Sequence, residues 1–168
     1  MIATLAVALV GLMAGCAPKP TTGQLDHLLY ATPLPQFQGW WISEQAAAQH
    51  VAPATVLRWW RDQPTRLDAR AARTRRWDVS TDLCSSSPDT GPAFDFRAAC
   101  IRHDFAWRNL KRLDALWGGG IDTHARRVRA TDQFLQDMRT DCVRRSPLLR
   151  AACLVVAGAY HRAVLLVS

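Results

Sequence analysis

Two short segments of the chain carry the residues best suited to chemistry. The first places Asp82 two residues before Cys84, and the second places His103 and Asp104 three and four residues after Cys100. Positions i, i+3 and i+4 of a helix share one face, so a helix here would set His103 and Asp104 beside Cys100. A bond between the two cysteines would then bring both carboxylates together next to the imidazole.

Two carboxylates with loop carbonyls and water make an oxygen-rich site, which suits Ca²⁺ better than Zn²⁺. A histidine beside such a cation is placed to take a proton from water while the metal polarises an ester carbonyl. The alternative is a capped helix that carries a His–Asp pair on its surface. Spacing alone favours neither interpretation.

The cysteines indicate an exported protein. If Cys16 carries a lipid, four cysteines remain, an even number that suits two disulfides outside the cytoplasm. Four cysteines allow three pairings, and the two local ones are the simplest. These are Cys84 with Cys100 and Cys142 with Cys153.

The segments around the first pair resemble the signature of prokaryotic-type secreted phospholipase A2. They read Ser80-Thr81-Asp82-Leu83-Cys84 and Cys100-Ile101-Arg102-His103-Asp104-Phe105-Ala106-Trp107-Arg108-Asn109. The spacings within the two local cysteine pairs match the family as well. The resemblance covers roughly residue 77 to the end of the chain.

This resemblance implies an all-α fold with two antiparallel central helices, a calcium loop and two disulfides. It implies that Ca²⁺ is held by the carboxylates of Asp82 and Asp104 and the carbonyl of Leu83. It also implies that His103 is the general base that activates water against the sn-2 ester of a glycerophospholipid.

The family orients this histidine with a carboxylate from the second central helix. Counting back from Phe134 and from Asp137-Met138 leads to Thr131, and the nearest carboxylate is Asp132, one residue later. We expect Asp132 to orient His103 through a local rotation or bulge of the helix. If Thr131 fills the position instead, the imidazolium lacks a compensating charge and turnover falls.

Three regions are predicted along the chain. Residues 1–15 are uncharged and apolar like a signal peptide, and the small residues before Cys16 resemble a lipobox, so the protein is expected to be lipid-anchored there or secreted. Residues 16–40 are rich in Pro, Thr and Gln and predict a tether. Residues 41–168 form the phospholipase A2-like domain.

Helices are predicted within that domain from capping residues and apolar spacing. The three strongest cover residues 97–116, 125–142 and 148–167, and shorter ones begin at Ser43, Ala54 and Leu67. The C-terminal helix is predicted to be a buried core helix, because Arg150, His161 and Arg162 interrupt its apolar character.

Composition limits the choice of partner. The chain has 168 residues, 49% of them hydrophobic and 21% charged, which suits one globular domain and excludes general disorder. Its net charge of +7 suits an anionic partner, either nucleic acid or an anionic lipid surface, and composition does not choose between them. With the resemblance, we expect an anionic phospholipid membrane surface. We expect no obligate protein partner and no nucleic acid.

Two alternatives belong to other functional classes. Residues 43–61 have the rhythm of a helix-turn-helix, which would favour nucleic-acid binding. The other is a lipoprotein of the same fold that binds calcium or membrane but is catalytically impaired, and Thr131 is the residue that supports it.

Overall fold

The structure is a computed structural model that describes residues 19–62, 72–85 and 87–166. Helices dominate these residues, as predicted, and the two disulfides have the two local pairings, Cys84–Cys100 and Cys142–Cys153. The predicted all-α class is therefore confirmed. The helices are α1 (Thr22–Asp26), a π-helical turn (His27–Ala31), α2 (Leu34–Gln49), α3 (Pro53–Asp62), α4 (Arg97–Trp117), α5 (His124–Val143) and α6 (Pro147–Leu165). A two-residue hairpin, β1 (Thr90–Gly91) with β2 (Phe94–Asp95), precedes α4.

The central pair of helices is α4 and α5, which run antiparallel. Trp107 lies against Arg127, whereas His103, one turn earlier on α4, lies against Thr131, one turn later on α5. Helix α4 ends at Gly118, which has a φ of 87° that suits glycine. Helix α5 begins where the Thr123 hydroxyl accepts a hydrogen bond from a backbone amide of its first turn.

The predicted tether is wrong for residues 19–40. Thr21 and Gln24 form a capping box at the start of α1, and Leu25, Leu29 and Phe37 are buried in the main core. The reason is an i, i+4 pair of leucines, which gives this segment an apolar face despite its prolines and polar residues. Residues 1–18, which include the predicted signal peptide and Cys16, lie outside the described part of the chain.

An extended segment links the main core to the Ser80–Cys84 loop. The carbonyl of Val79 accepts hydrogen bonds from Trp41 Nε1 at 3.2 Å and Gln45 Nε2 at 2.6 Å, both on α2. Asn109 on α4 bonds the backbone of Asp78 in both directions, at 2.9 and 2.7 Å. These contacts fix where the loop begins relative to α2 and α4.

The short helix predicted from Leu67 falls partly outside the described residues, which omit 63–71. Residues 72–78 are not helical, because Arg73 and Asp78 form an isolated antiparallel bridge there. The helix predicted from Ser43 exists but begins nine residues earlier, at Leu34. Pro33 and Pro35 suit that start, since a proline at the first turn removes no helical hydrogen bond.

Helix α6 is present as predicted, but it is not a buried core helix. The Cys142–Cys153 disulfide holds it against α5, and among its residues only Cys153 and Ala157 are buried. Much of the remaining surface is exposed and apolar. The apolar residues of α6 occur on all of its sides, so the periodicity of the sequence could not show which side faces the protein. Within the described chain, α6 is the helix long and apolar enough to span a membrane by length and composition alone.

Candidate active site

The disulfide Cys84–Cys100 joins the Ser80–Cys84 loop to the first turns of α4. Its Cα atoms are 5.1 Å apart. Within the loop, the backbone amide of Leu83 donates to Thr81 Oγ1 at 2.9 Å, and Leu83 has a φ of 59°. A left-handed conformation is costly for a branched side chain and is found mainly where the backbone has a special task. The left-handed conformation therefore occurs at Leu83, whose carbonyl is the one that the family resemblance implies as a metal ligand.

Asp82 and Asp104 meet at this loop, as predicted. Asp104 Oδ2 accepts hydrogen bonds from Thr81 Oγ1 at 2.6 Å and from the backbone amide of Asp82 at 3.1 Å. On the solvent side, Arg108 Nη2 lies 2.6 Å from Asp82 Oδ1. The two carboxylates thus form one acidic site with a single arginine at its edge.

The electrostatics of this acidic site favour a cation. Burial, together with the charge of Asp82, raises the pKa of Asp104 to about 7. Burial acts in the same direction on Asp82, but hydrogen bonds from Ser85 and Asp104 and the charge of Arg108 leave the pKa of Asp82 lowered. A cation between the carboxylates would stabilise the ionised form of Asp104, which burial first and the charge of Asp82 second disfavour.

The donor set fits calcium rather than a transition metal. In residues 19–62, 72–85 and 87–166 no three His, Cys, Asp or Glu side chains cluster as a metal site. A cation at Asp82 and Asp104 would therefore complete its shell with backbone carbonyls and water, which are ligands that Ca²⁺ accepts readily. The positive φ of Leu83 is the backbone feature that supports this fit.

His103 lies on α4 between two aromatic rings. Its ring centre is 5.6 Å from that of Trp107 and 5.0 Å from that of Phe134 on α5. Burial among these rings lowers the pKa of His103 to about 4, because the imidazolium loses its hydration. The imidazole is therefore neutral near pH 7 and can accept a proton.

The neighbour of His103 on α5 is Thr131, not Asp132. His103 Nε2 lies 3.4 Å from Thr131 Oγ1, and Thr131 Oγ1 donates to the carbonyl of Arg127 at 3.0 Å. Since the hydroxyl proton points to that carbonyl, the oxygen is left to accept from Nε2–H. This arrangement leaves the lone pair of His103 on Nδ1.

The prediction that Asp132 orients His103 is therefore wrong in this structure. Asp132 Oδ1 instead pairs with His161 Nε2 of α6 at 3.0 Å, and its side chain is 61% exposed. Helix α5 is regular at this point, so successive side chains are 100° apart and only Thr131 points inward. The altered loop between α4 and α5 produces no compensating rotation.

The predicted residues other than Asp132 face one open groove of about 880 Å³. Residues of α4 and of the Ser80–Cys84 loop line one part of it, and residues of α5 and α6 line the rest. The lining includes His103, Asp104, Asp82, Leu83, Phe134, Tyr160, Ala159, Ala163, Val164, Trp107, Arg108 and Lys111. The groove is mostly apolar, with the acidic site at its base and two cations on α4.

Sequence reasoning missed two residues of this groove and one buried residue beside His103 that does not line it. Lys111 follows Trp107 by one helical turn, so the i, i+4 rule could have placed it at the rim. Tyr160, whose hydroxyl donates to the carbonyl of Pro88 at 2.7 Å, could not have been found from spacing, because the contact crosses 72 residues. The motif predicts no role for Arg102, yet it is buried, donates a hydrogen bond to the Leu29 carbonyl and forms an ion pair with Asp137.

Comparison with known proteins agrees with the geometry. The profile of the prokaryotic phospholipase A2 family matches residues 54–168. A secretory phospholipase A2 of the fungus Arthroderma benhamiae is 40% identical over 65 residues, which are 39% of this chain and 40% of that protein. The chain thus aligns with less than half the length of that curated relative. The matched region contains the groove, both disulfides and all of α3 but its first residue, which weakens the nucleic-acid alternative. On the extent of the profile match, the chain belongs to the prokaryotic phospholipase A2 family.

Proposed function

We propose that the protein is a calcium-dependent phospholipase A2, which hydrolyses the sn-2 ester of glycerophospholipids to a lysophospholipid and a fatty acid. The observation that carries the proposal is the convergence of His103 with Asp82 and Asp104 on one apolar groove. Apolar walls suit an acyl chain, and the polar base suits the ester. Family membership supports lipolytic chemistry in general.

His103 is the proposed general base. Its neutral imidazole takes a proton from a water molecule, the resulting oxygen attacks the sn-2 carbonyl, and the proton passes to the departing alcohol. The contact of Nε2 with Thr131 holds the ring so that Nδ1 is the accepting atom. Phe134 and Trp107 shield the ring from bulk water.

Asp82, Asp104 and the carbonyl of Leu83 are the proposed ligands of Ca²⁺. The ion would supply the positive charge that polarises the ester carbonyl and steadies the charge that develops on its oxygen. Thr81 holds Asp104 in place through the 2.6 Å hydrogen bond, and the Cys84–Cys100 bridge holds the loop to α4.

We further propose that the protein acts outside the cytoplasm on an anionic phospholipid surface. The two disulfides suit an oxidising compartment. Arg108 and Lys111 place positive charge at the groove, where a lipid phosphate would lie. Export through residues 1–15, with Cys16 lipidated or the chain released, is part of the same proposal.

The direct test measures fatty-acid release from phosphatidylcholine and phosphatidylglycerol vesicles, with excess Ca²⁺ and with a chelator. We expect release that requires Ca²⁺ and is lost in His103→Ala. Hydrolysis that persists unchanged in His103→Ala would contradict the assignment of the base.

A second candidate function is a calcium- and membrane-binding protein of the same fold with impaired catalysis. The specific observation in its favour is Thr131, a neutral residue where the family has a carboxylate. Calcium binding without fatty-acid release from either vesicle would select this candidate.

A further inference from the structure

Helix α6 and the residue that follows it carry an exposed apolar stripe that no other residue in the described ranges 19–62, 72–85 and 87–166 covers. The stripe consists of Leu148, Ala152, Val155, Ala159, Ala163 and Leu166, spaced by four, three, four, four and three residues. Residues with this spacing lie within one narrow sector of a helix. Leu148 is 85% exposed, Val155 72% and Leu166 88%.

The opposite side of α6 is occupied. Cys153 is bonded to Cys142 of α5, Ala157 is buried with it, and Tyr160 packs against Phe94 and Phe96. Because α6 is fixed on that side, it cannot roll to bury the stripe. A soluble protein rarely leaves so many large apolar side chains together in water without a partner for them.

The stripe is continuous with the groove. Ala159 and Ala163 belong to both, since they line the groove and are also exposed on the stripe. A surface that covers the stripe would therefore lie at the mouth of the groove, a short distance from His103.

The charges near the stripe lie at its edges. Arg162 is exposed at one flank of the stripe. Its guanidinium lies close to Gly158, since a Cβ atom built on that glycine would be 3.9 Å from Arg162 Nη1. Lys111 and Arg108 lie at the groove on the other side. Long basic side chains at the border of an apolar face can reach anionic headgroups while the face is immersed.

We infer that the α6 stripe is the surface on which the protein lies on an anionic bilayer, with Leu148, Val155 and Leu166 immersed among the upper acyl chains. The inference rests on the proposed function, because a lipid must enter the groove from the surface that covers its mouth. A second copy of the chain, or a bilayer spanned by α6, are the competing occupants.

Acyl-chain photolabelling tests this inference on the full exported chain. Vesicles of equal parts phosphatidylglycerol and phosphatidylcholine carry a diazirine in the acyl chain, and labelled peptides are mapped by mass spectrometry. The proteins carry His103→Ala so that the vesicles stay intact. Labelling reads contact with acyl chains whether or not the N-terminus is also anchored.

We expect labels on the peptide that contains residues 147–166, and at least a ten-fold loss of these labels in Leu148→Asp with Val155→Asp. The matched control is Leu57→Asp on α3, a leucine that is 41% exposed away from α6, which should leave the labels unchanged. Val155→Ser gives a second, uncharged variant, and far-ultraviolet circular dichroism checks that each variant is folded.

Three outcomes would overturn the inference. They are labels concentrated on other peptides, labels that persist fully in the double variant, and labels equally strong on all sides of α6, which would indicate a spanning helix. A stripe that binds a second copy would give no labels and a dimer in sedimentation velocity that the double variant dissociates.

Hydrolysis of a monomeric short-chain phospholipid separates this inference from the proposed function. The double variant with His103 intact should hydrolyse the monomeric substrate at the wild-type rate but act on vesicles at least ten-fold more slowly. Normal labelling without any hydrolysis by the wild-type protein would contradict only the function. Monomer hydrolysis without α6 labelling would contradict only the docking surface.

Discussion

His103 Nε2 lies 3.4 Å from the hydroxyl oxygen of Thr131, at the position where this family places a carboxylate. A hydroxyl can fix the tautomer and the ring orientation, but it cannot compensate the positive charge that forms when the imidazole takes a proton. A carboxylate at this position would both orient the ring and compensate its positive charge, whereas Thr131 can only orient it.

Thr131→Asp should raise catalytic efficiency. The new carboxylate would accept from Nε2–H and stabilise the imidazolium, and we expect kcat/KM on a monomeric phospholipid to rise by about ten-fold or more. Thr131→Val, which keeps the shape and removes the hydroxyl, should lower it. A Thr131→Asp variant that folds and binds calcium but has no gain in activity would contradict this role.

Asp132→Asn provides the matched control one residue away. The Asp132 side chain is 61% exposed, so loss of its pair with His161 should change the free energy of unfolding by less than about 1 kcal/mol. Activity should remain at the wild-type level. A strong loss of turnover would mean that Asp132 reaches His103 during catalysis after all.

The pH dependence of activity should extend to unusually low pH. The neutral imidazole is the working form, and burial lowers the pKa of His103 from its ordinary value of 6.5 to about 4. With calcium in excess to keep Asp104 ionised, kcat/KM should therefore not fall near pH 6.5 but only as the pH approaches about 4. In Thr131→Asp the acid limb should move to higher pH, because a carboxylate stabilises the protonated ring.

Asp104→Asn should weaken calcium binding and calcium-dependent hydrolysis together. The amide keeps the shape of the side chain but removes one of the two negative charges at the acidic site, and we expect affinity to fall by at least about ten-fold. Isothermal titration calorimetry measures the affinity directly. An unchanged affinity would exclude Asp104 as a ligand.

Removing the Cys84–Cys100 disulfide should affect stability and calcium binding, because it closes a 16-residue segment and holds the Asp82 loop to α4. Cys84→Ser with Cys100→Ser should lower the free energy of unfolding by about 3 kcal/mol and also weaken calcium affinity.

The second disulfide is the control for that double variant. Cys142→Ser with Cys153→Ser opens an 11-residue segment and should cost a similar free energy of unfolding, about 3 kcal/mol. Its effect on calcium affinity should be small, since this bridge joins α5 to α6 and does not join the Ser80–Cys84 loop to α4. Denaturant unfolding and calorimetry on both double variants distinguish the two roles.

The parts of the fold that sequence reasoning predicted are those specified by local signals. Helices α4 and α5 have glycine and threonine at their ends and clear apolar spacing, so their bounds were predicted within one residue. The convergence of Asp82 with His103 and Asp104 could be predicted because a cysteine lies close to each in the sequence.

The features that sequence reasoning missed depend on which neighbouring surface each helix packs against. The proline-rich composition of the N-terminal segment predicts a tether, although Leu25 and Leu29 bury one side of α1 and of the π-helical turn. Helix α6 has no polar face that would indicate its orientation. Asp132 was misassigned because a carboxylate one residue away seemed a small displacement. On a regular helix, a shift of one residue rotates the side chain by 100°. That rotation is enough to point Asp132 to solvent while Thr131 faces His103.

The buried N-terminal segment shows that the part of the chain that matches the family is shorter than the part that packs into the core. The family match begins at residue 54, yet Phe37 and Trp41 of α2 are fully buried, and the carbonyl of Leu29 accepts a 2.9 Å hydrogen bond from Arg102, the residue before His103. A fragment trimmed to the match would expose part of the main core and remove one partner of that guanidinium, which would keep only its ion pair with Asp137. A piece of this chain that keeps its core must therefore include Leu29, Phe37 and Trp41, and packing rather than the family match decides that requirement.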